Sequence, residues 1–450
     1  MQGFKNYRLA LGTIAAKVRQ KNSIYLALSL IARVLNAAGM FVAIKRFAPS
    51  SFGEMSYLTA TAVSTVAFCS FGIELSINAQ LTRKLKEAAP LGPTIGAGCA
   101  LALAGTILAC IVICTVFASQ LKVSSSPGFA ILFVCIYSSF MISTSLLTAM
   151  SFALDASINV GISYMATSLI FVCFGVFANP ATSGVDLMFF LICAQVVAVS
   201  YMAIALLKRH LKPKPSQTAG SFQHLLPDAW IETKTLFAYG AKQILVVSAV
   251  TFSQWLIQRK IIFGNGGASE NAIYSIGNQI FNMMTFIPLI ITPIIITKLA
   301  AAHGDMALRR KICLQSLRLF TAISVCACGA VFVGLRLGIP FLPPRYAVAL
   351  ETGLIASIAA AFQIVKSPFS LYFLSELKAS REIISATAGA AFMIVATCLF
   401  TQLNPNEGTL IRLLGCALQA VLLGGLFLIE TRRGLAPIIV DYRHNERIDK

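Results

Sequence analysis

The sequence predicts an all-α, polytopic membrane protein with about twelve transmembrane helices arranged as two six-helix bundles. Three observations carry this expectation. Apolar residues arrive in blocks of about twenty, the length that crosses a hydrocarbon core of about 30 Å. Only 12% of the 450 residues are charged and 57% are hydrophobic, whereas soluble domains carry about 25% charged residues. Finally, the connecting segments alternate between rich and poor in Lys and Arg.

The blocks fall at 24–44, 55–73, 95–118, 129–150, 158–178 and 186–207, then at 236–258, 271–297, 314–335, 351–374, 383–402 and 409–429. Hydrocarbon offers the backbone no hydrogen-bond partner, so each block must close its own bonds as a helix. Residues 208–235 are rich in Lys and Pro, and Lys212-Pro213-Lys214-Pro215 cannot continue a regular helix. The expected organisation is a first bundle over 1–207, a cytoplasmic linker over 208–235, a second bundle over 236–430 and a cytoplasmic tail over 431–450. About 22 polar and basic residues precede the first block, and Lys45-Arg46-Phe47-Ala48-Pro49 follows it instead of a small-x-small cleavage site. It reads as an uncleaved first span.

The net charge of +19 would suit nucleic acid only if a soluble basic module carried it. Here the basic residues lie in short stretches between apolar blocks, so no nucleic-acid partner is expected. With the N-terminus cytoplasmic and the spans alternating, 25 of the 36 basic residues fall on the cytoplasmic side, seven opposite and four within spans. That asymmetry follows the positive-inside rule and puts both termini in the cytoplasm. The twelve cysteines lie within or beside apolar blocks and form no CxxC pair. They read as helix-packing residues, with neither metal nor cofactor expected.

A short echo suggests internal duplication. Glu54-Met55-Ser56-Tyr57 opens the second block and Glu270-Asn271-Ala272-Ile273-Tyr274 opens the eighth. In repeat-built transporters the substrate site lies near the midplane, where the repeats meet.

Charge inside a span is the strongest functional signal, because it costs roughly 2.5–3.5 kcal/mol at a helix centre on insertion scales. Arg33, Lys242, Lys366 and Arg412 qualify, and by these boundaries no carboxylate sits as deep. Lys242 also lies near enough to a cytoplasmic end to snorkel, and Arg412 near enough to the opposite end to act as an anchor. Helical spacing gives the cations polar companions: Asn36 three after Arg33; Gln363 and Ser370 around Lys366; Gln419 seven after Arg412. Ser275, Asn278, Asn282 and Thr285 form one stripe, and Gln254 and Gln258 another. Such stripes serve either a polar interior or interhelical hydrogen bonding. A positive interior attracts anions, since Arg pairs bidentately with phosphate and Lys acts as a point charge. Lys45, Arg46, Arg259 and Lys260 extend the positive path to the outer mouth, and Glu74, at a cytoplasmic margin, is a possible coupling residue.

The chain resembles the polysaccharide-transport branch of the multidrug/oligosaccharidyl-lipid/polysaccharide (MOP) exporter superfamily, the Wzx-type flippases. The residues that carry the resemblance are Ile31-Ala32-Arg33, then Arg46-Phe47-Ala48-Pro49-Ser50-Ser51-Phe52-Gly53, then Phe71-Gly72-Ile73-Glu74 with Arg83. Later in the chain they are Tyr274, Pro288 and Pro293. The resemblance implies two six-helix bundles in a V and translocation of undecaprenyl-pyrophosphate-linked oligosaccharides across the bacterial inner membrane. It further implies alternating access through a cationic central cavity, for polysaccharide biosynthesis. The implied partners are the lipid-linked oligosaccharide, membrane lipids, and a polysaccharide polymerase with its chain-length regulator.

Two other classes stay open. A drug or cation antiporter of the same superfamily would normally use buried carboxylates. A membrane-embedded polymerase or glycosyltransferase would need a long outer loop or acidic clusters. The longest outer loop here is about fifteen residues, around 336–350, so the chain is not expected to be an enzyme.

Overall fold

In the computed structural model the helices follow one another with short connections. The structure describes residues 2–433 apart from 88, 125, 210–224, 303–304, 339–343 and 376–378. In chain order the helices are α1 (Gln2–Arg46), α2 (Pro49–Cys69), α3 (Ile73–Lys86), α4 (Gly92–Val112), α5 (Pro127–Ala153), α6 (Ser157–Phe177) and α7 (Gly184–Arg209). They continue as α8 (Leu225–Ile262), α9 (Gly267–Ala301), α10 (Met306–Gly338), α11 (Ala349–Ser375), α12 (Ala379–Leu399) and α13 (Pro405–Arg433). All twelve expected spans fall on these helices.

Among the described residues, nine stretches are long and apolar enough to cross a membrane, in α1, α4 to α7 and α10 to α13. The chain is a multi-pass membrane protein. The other three expected spans lie on α2, α8 and α9, each of which carries several hydroxyl and amide side chains. In α2 the hydroxyls close onto their own helix: Thr59, Thr61 and Thr65 donate to the carbonyls of Met55, Tyr57 and Thr61 at 2.8–2.9 Å. Internal satisfaction lets α2 be buried along most of its length, with Phe52, Leu58, Ala62 and Cys69 at 1% exposure or less.

The structure departs from the sequence reading at two connections. Residues 74–86, expected as a polar loop, continue the second span as α3. Ile73, Ile77 and Leu81, four apart on one face, are fully buried there. The chain turns between α2 and α3 at Phe71 and Gly72, both left-handed, with φ of 52° and 62°. Gly72 fits because it lacks the Cβ that a left-handed backbone crowds. An added Cβ would also meet the Cα of Gly240, on α8, at 2.7 Å.

The expected linker over 208–235 is shortened from its C-terminal side, because α8 begins at Leu225. Pro227 sits in the opening turn, where no intrahelical N–H is needed. Glu232 of this extension accepts a 2.5 Å ion pair from Lys84 and a hydrogen bond from Thr94. Lys212 to Pro215 lie outside the described residues, as does the tail beyond Arg433.

The chain divides into two compact units. The first holds the chain through Ser275 together with Phe400–Pro405. Its core joins Ile73, Ile77 and Leu81 to Leu101, Ala109, Ile142 and Leu146, and a second cluster surrounds Trp255, Tyr57, Phe117 and Met188. The second unit takes the chain from Ile276, and its core is built on Phe320, Ile364, Tyr372, Phe373 and Phe427.

Contacts between connections sort them into ends within each unit. In the first unit Glu54 meets Ser124 and the Gly184 amide, Arg259 meets Gln120, and Lys260 meets the Phe400 carbonyl. All these segments fall on one side in the alternation read from the sequence. Lys84, Thr94 and Glu232 share the other side. In the second unit Asn406 bonds Glu351 and Thr352 at one end.

Candidate functional site

Arg33 lies midway along the membrane-spanning part of α1, which runs Ser23–Arg46. Its side chain is exposed, Asn36 beside it is half-buried, and Ala32 is buried. Mid-span exposure of a guanidinium to lipid is costly, so this face of α1 calls for a polar surround. Tyr164 on α6 lies within electrostatic reach of both Arg33 and Glu74. Arg33 from the first span and Glu74 from the opening turn of α3 thus both act electrostatically on a residue of a third helix. Spacing along the sequence gave no signal of this, because the three come from separate helices and Tyr164 stands in an apolar block.

Glu74 is exposed to a cavity of about 150 Å³ in the same unit, lined also by Ser70, Ser145 and Ile244. The left-handed turn at Phe71 and Gly72 places it there, at the first turn of a helix whose opposite face is buried.

The four cations of the first unit expected at an outer mouth are held differently from one another. Lys45 and Arg46 are exposed at the end of α1. Arg259 donates from Nε to Gln120 Oε1 at 2.7 Å and lies over the Phe263 ring. Lys260 Nζ donates to the Phe400 carbonyl at 2.9 Å. Gln254 is half-buried and Gln258 is buried. Lys242 is on α8, and its side chain lies outside the described residues.

In the second unit the interior cations are enclosed. Arg412 is 2% exposed, donates from Nη1 to Asn278 Oδ1 at 2.5 Å and stacks 3.6 Å from the Phe281 ring centroid. Lys366 is 6% exposed and donates to Gln419 Oε1 at 2.9 Å. Gln419 is itself fixed, its backbone carbonyl accepting from Ser385 Oγ at 2.9 Å. Glu382 interacts electrostatically with Lys366 and accepts from Ser370 Oγ. The sequence placed Glu382 at a span end, so the short approach between α11 and α12 was not visible in it. This carboxylate gives Lys366 an acidic neighbour that the sequence reading lacked.

The amide and hydroxyl stripe on α9 does not line one common surface. Ser275 faces α2, its Oγ 2.5 Å from Ser56 Oγ, while Asn278 faces Arg412. Asn282 is exposed, and Gln363 on α11 is half-buried. Charged-group hydrogen bonds are worth about 1.5–3 kcal/mol each, enough for the Arg412 and Lys366 contacts to be structural.

No sequence-family model and no curated protein sequence matches the chain. Solved structures do. The chain is similar to an inward-facing multidrug resistance MATE family transporter of the MOP superfamily, with TM-score 0.69 and 12% identity over 92% of this chain and all of that one. It is similar to a MOP superfamily transporter from Pyrococcus furiosus for which reverse polarity of the binding pocket suggests a different function. That match has TM-score 0.64 and 10% identity over 92% of this chain and 96% of that one. It is also similar to the lipid II flippase MurJ in an inward closed conformation, with TM-score 0.61 and 11% identity over 90% and 87% of the two chains. The fold is that of the MOP-superfamily transporters. Within this MOP fold, Arg33 and Glu74 are the expected site residues whose side chains are exposed within the helical body of the first unit. Lys366 and Arg412 are enclosed by partners of their own helices' neighbours.

Proposed function

We propose that this chain is a flippase that moves undecaprenyl-pyrophosphate-linked oligosaccharide across the bacterial inner membrane by alternating access, with both termini cytoplasmic. The observation that carries the reading is Arg33, a guanidinium exposed in the middle of a membrane-spanning helix. A diphosphate linkage is the anion a guanidinium recognises bidentately. The MOP fold supports transport, and its occurrence in a lipid II flippase supports a lipid-linked cargo. Glu74, reached from the same phenol as Arg33, is assigned to proton coupling.

The test is transport by the full chain in vesicles with a fluorescent polyprenyl-pyrophosphate oligosaccharide on one leaflet. Cells lacking the endogenous gene supply a second readout, surface glycan. Arg33→Ala should abolish both while the protein still reaches the membrane. Glu74→Gln should leave cargo binding intact and remove the response to an imposed pH gradient. Full transport by Arg33→Ala overturns the anion assignment. Cation-drug efflux with unchanged surface glycan would favour the antiporter reading instead.

A further inference from the structure

The short basic run at the start of α10 divides into one buried residue and several outward ones. Arg309 is 3% exposed, donates from Nη2 to the Tyr372 carbonyl at 3.2 Å and stacks 4.8 Å from the Tyr372 ring centroid. It fixes α10 against α11. Arg310, Lys311 and Arg318 instead line a pocket of about 550 Å³ within the second unit, with Leu314 and Gln315 between them and Thr431 of α13 on the far wall. No carboxylate lines it, and none pairs with these three cations among the described residues.

We propose that this pocket binds the headgroup of an anionic phospholipid. Two independent features select a lipid over a free anion. The pocket straddles the start of the ninth expected span, so it sits at the height of headgroup phosphates, on the side the positive-inside rule makes cytoplasmic. The same helix face then runs on as an exposed apolar stripe through Ala322, Val325 and Phe332. Only 11% of α10's most apolar stretch is buried within the protein. Cations above an apolar stripe match a phosphate above its acyl chains. The tail after Arg433 is a poorer occupant, because its acids Asp441, Glu446 and Asp449 each stand within two residues of a base. Three cations around one pocket favour a headgroup with two phosphates over one.

Native mass spectrometry of the full-length protein, released from nanodiscs of cardiolipin, phosphatidylglycerol and phosphatidylethanolamine, tests the assignment. Cardiolipin should be retained preferentially, and an Arg310→Gln, Lys311→Gln, Arg318→Gln variant should retain at least tenfold less. The charge-preserving Arg310→Lys, Lys311→Arg, Arg318→Lys variant should keep most of the binding and serves as the folding control. The unaltered protein should also lose retained lipid as salt rises from 0.1 to 1 M. Undiminished retention in the Gln variant or at high salt overturns the site. So does displacement of the lipid by an equal concentration of inorganic phosphate, which would make it a simple anion site. A tenfold gain in retention on deleting 434–450 would identify the tail as the occupant and equally overturn it.

Discussion

Asn271 donates from Nδ2 to the backbone carbonyl of Gly53 at 2.8 Å, joining the start of α9 to the start of α2. One turn further along, Ser275 Oγ meets Ser56 Oγ at 2.5 Å. Asn271 and Ser56 belong to the two segments of the sequence echo, and Gly53 and Ser275 flank them, so the two similar segments also lie side by side. Their approach depends on Gly53, where an added Cβ would stand 1.6 Å from the Ala268 carbonyl oxygen. In a membrane, helices associate through close packing and hydrogen bonds instead of apolar burial, and this contact supplies both.

Gly53→Ala should therefore prevent the α2–α9 approach and leave little monodisperse protein in detergent. Asn271→Ala removes one hydrogen bond in a fully buried setting and should lower stability by about 1 kcal/mol. Thermal unfolding of the purified protein followed by size exclusion distinguishes the two. Wild-type behaviour of Gly53→Ala would show that the helices are not in contact here.

Gly72→Ala should destabilise by about 1–2 kcal/mol from the left-handed backbone alone, and further through the contact with Gly240. Gly240→Ala should be at least as damaging, since its Cβ would meet the Phe71 carbonyl oxygen at 2.1 Å. Gly96→Ala is the control: nothing lies within 4 Å of the added carbon, and the helix gains about 0.5–1 kcal/mol from losing a glycine. Melting temperatures of the three variants check the order.

Arg412 and Asn278 should be coupled. A double-mutant cycle with Arg412→Met and Asn278→Ala is expected to give a coupling of about 1.5–3 kcal/mol, the range for a hydrogen bond to a charged group. Denaturant unfolding in detergent measures it. Additive single effects would mean that the guanidinium is held by Phe281 alone.

Lys366→Ala and Arg33→Ala should fail in different ways. Lys366→Ala leaves Gln419 without its buried partner and should lower stability by about 1–3 kcal/mol, with transport falling as folded protein is lost. Arg33→Ala should lower the melting temperature less than Lys366→Ala does and still abolish transport. Assaying both properties on the same preparations separates an enclosed cation from an exposed one.

The positions of the spans were legible in the sequence, since crossing length and apolar composition are properties of single segments. Gly53 and Gly72 stand within the two segments quoted for the family resemblance, but the close approaches that require them to be glycine came only with the structure. Arg33 was legible as a charge in the middle of a span, because its cost depends on its own helix. The helical character of α3 and of the start of α8 was missed, because both are amphipathic and polar enough to resemble loops. What each charge does was not written locally. Arg412 and Lys366 carry the same kind of signal as Arg33 in the sequence, yet Asn278, Phe281, Gln419 and Glu382 come to them from other helices. The electrostatic influence of Arg33 and Glu74 on Tyr164 has the same origin. The sequence by itself determined where the apolar blocks lie and which residues are charged within them, because insertion into hydrocarbon is judged one segment at a time. Only the tertiary structure decided which of those charges are enclosed and which are presented, because that depends on partners brought from elsewhere in the chain.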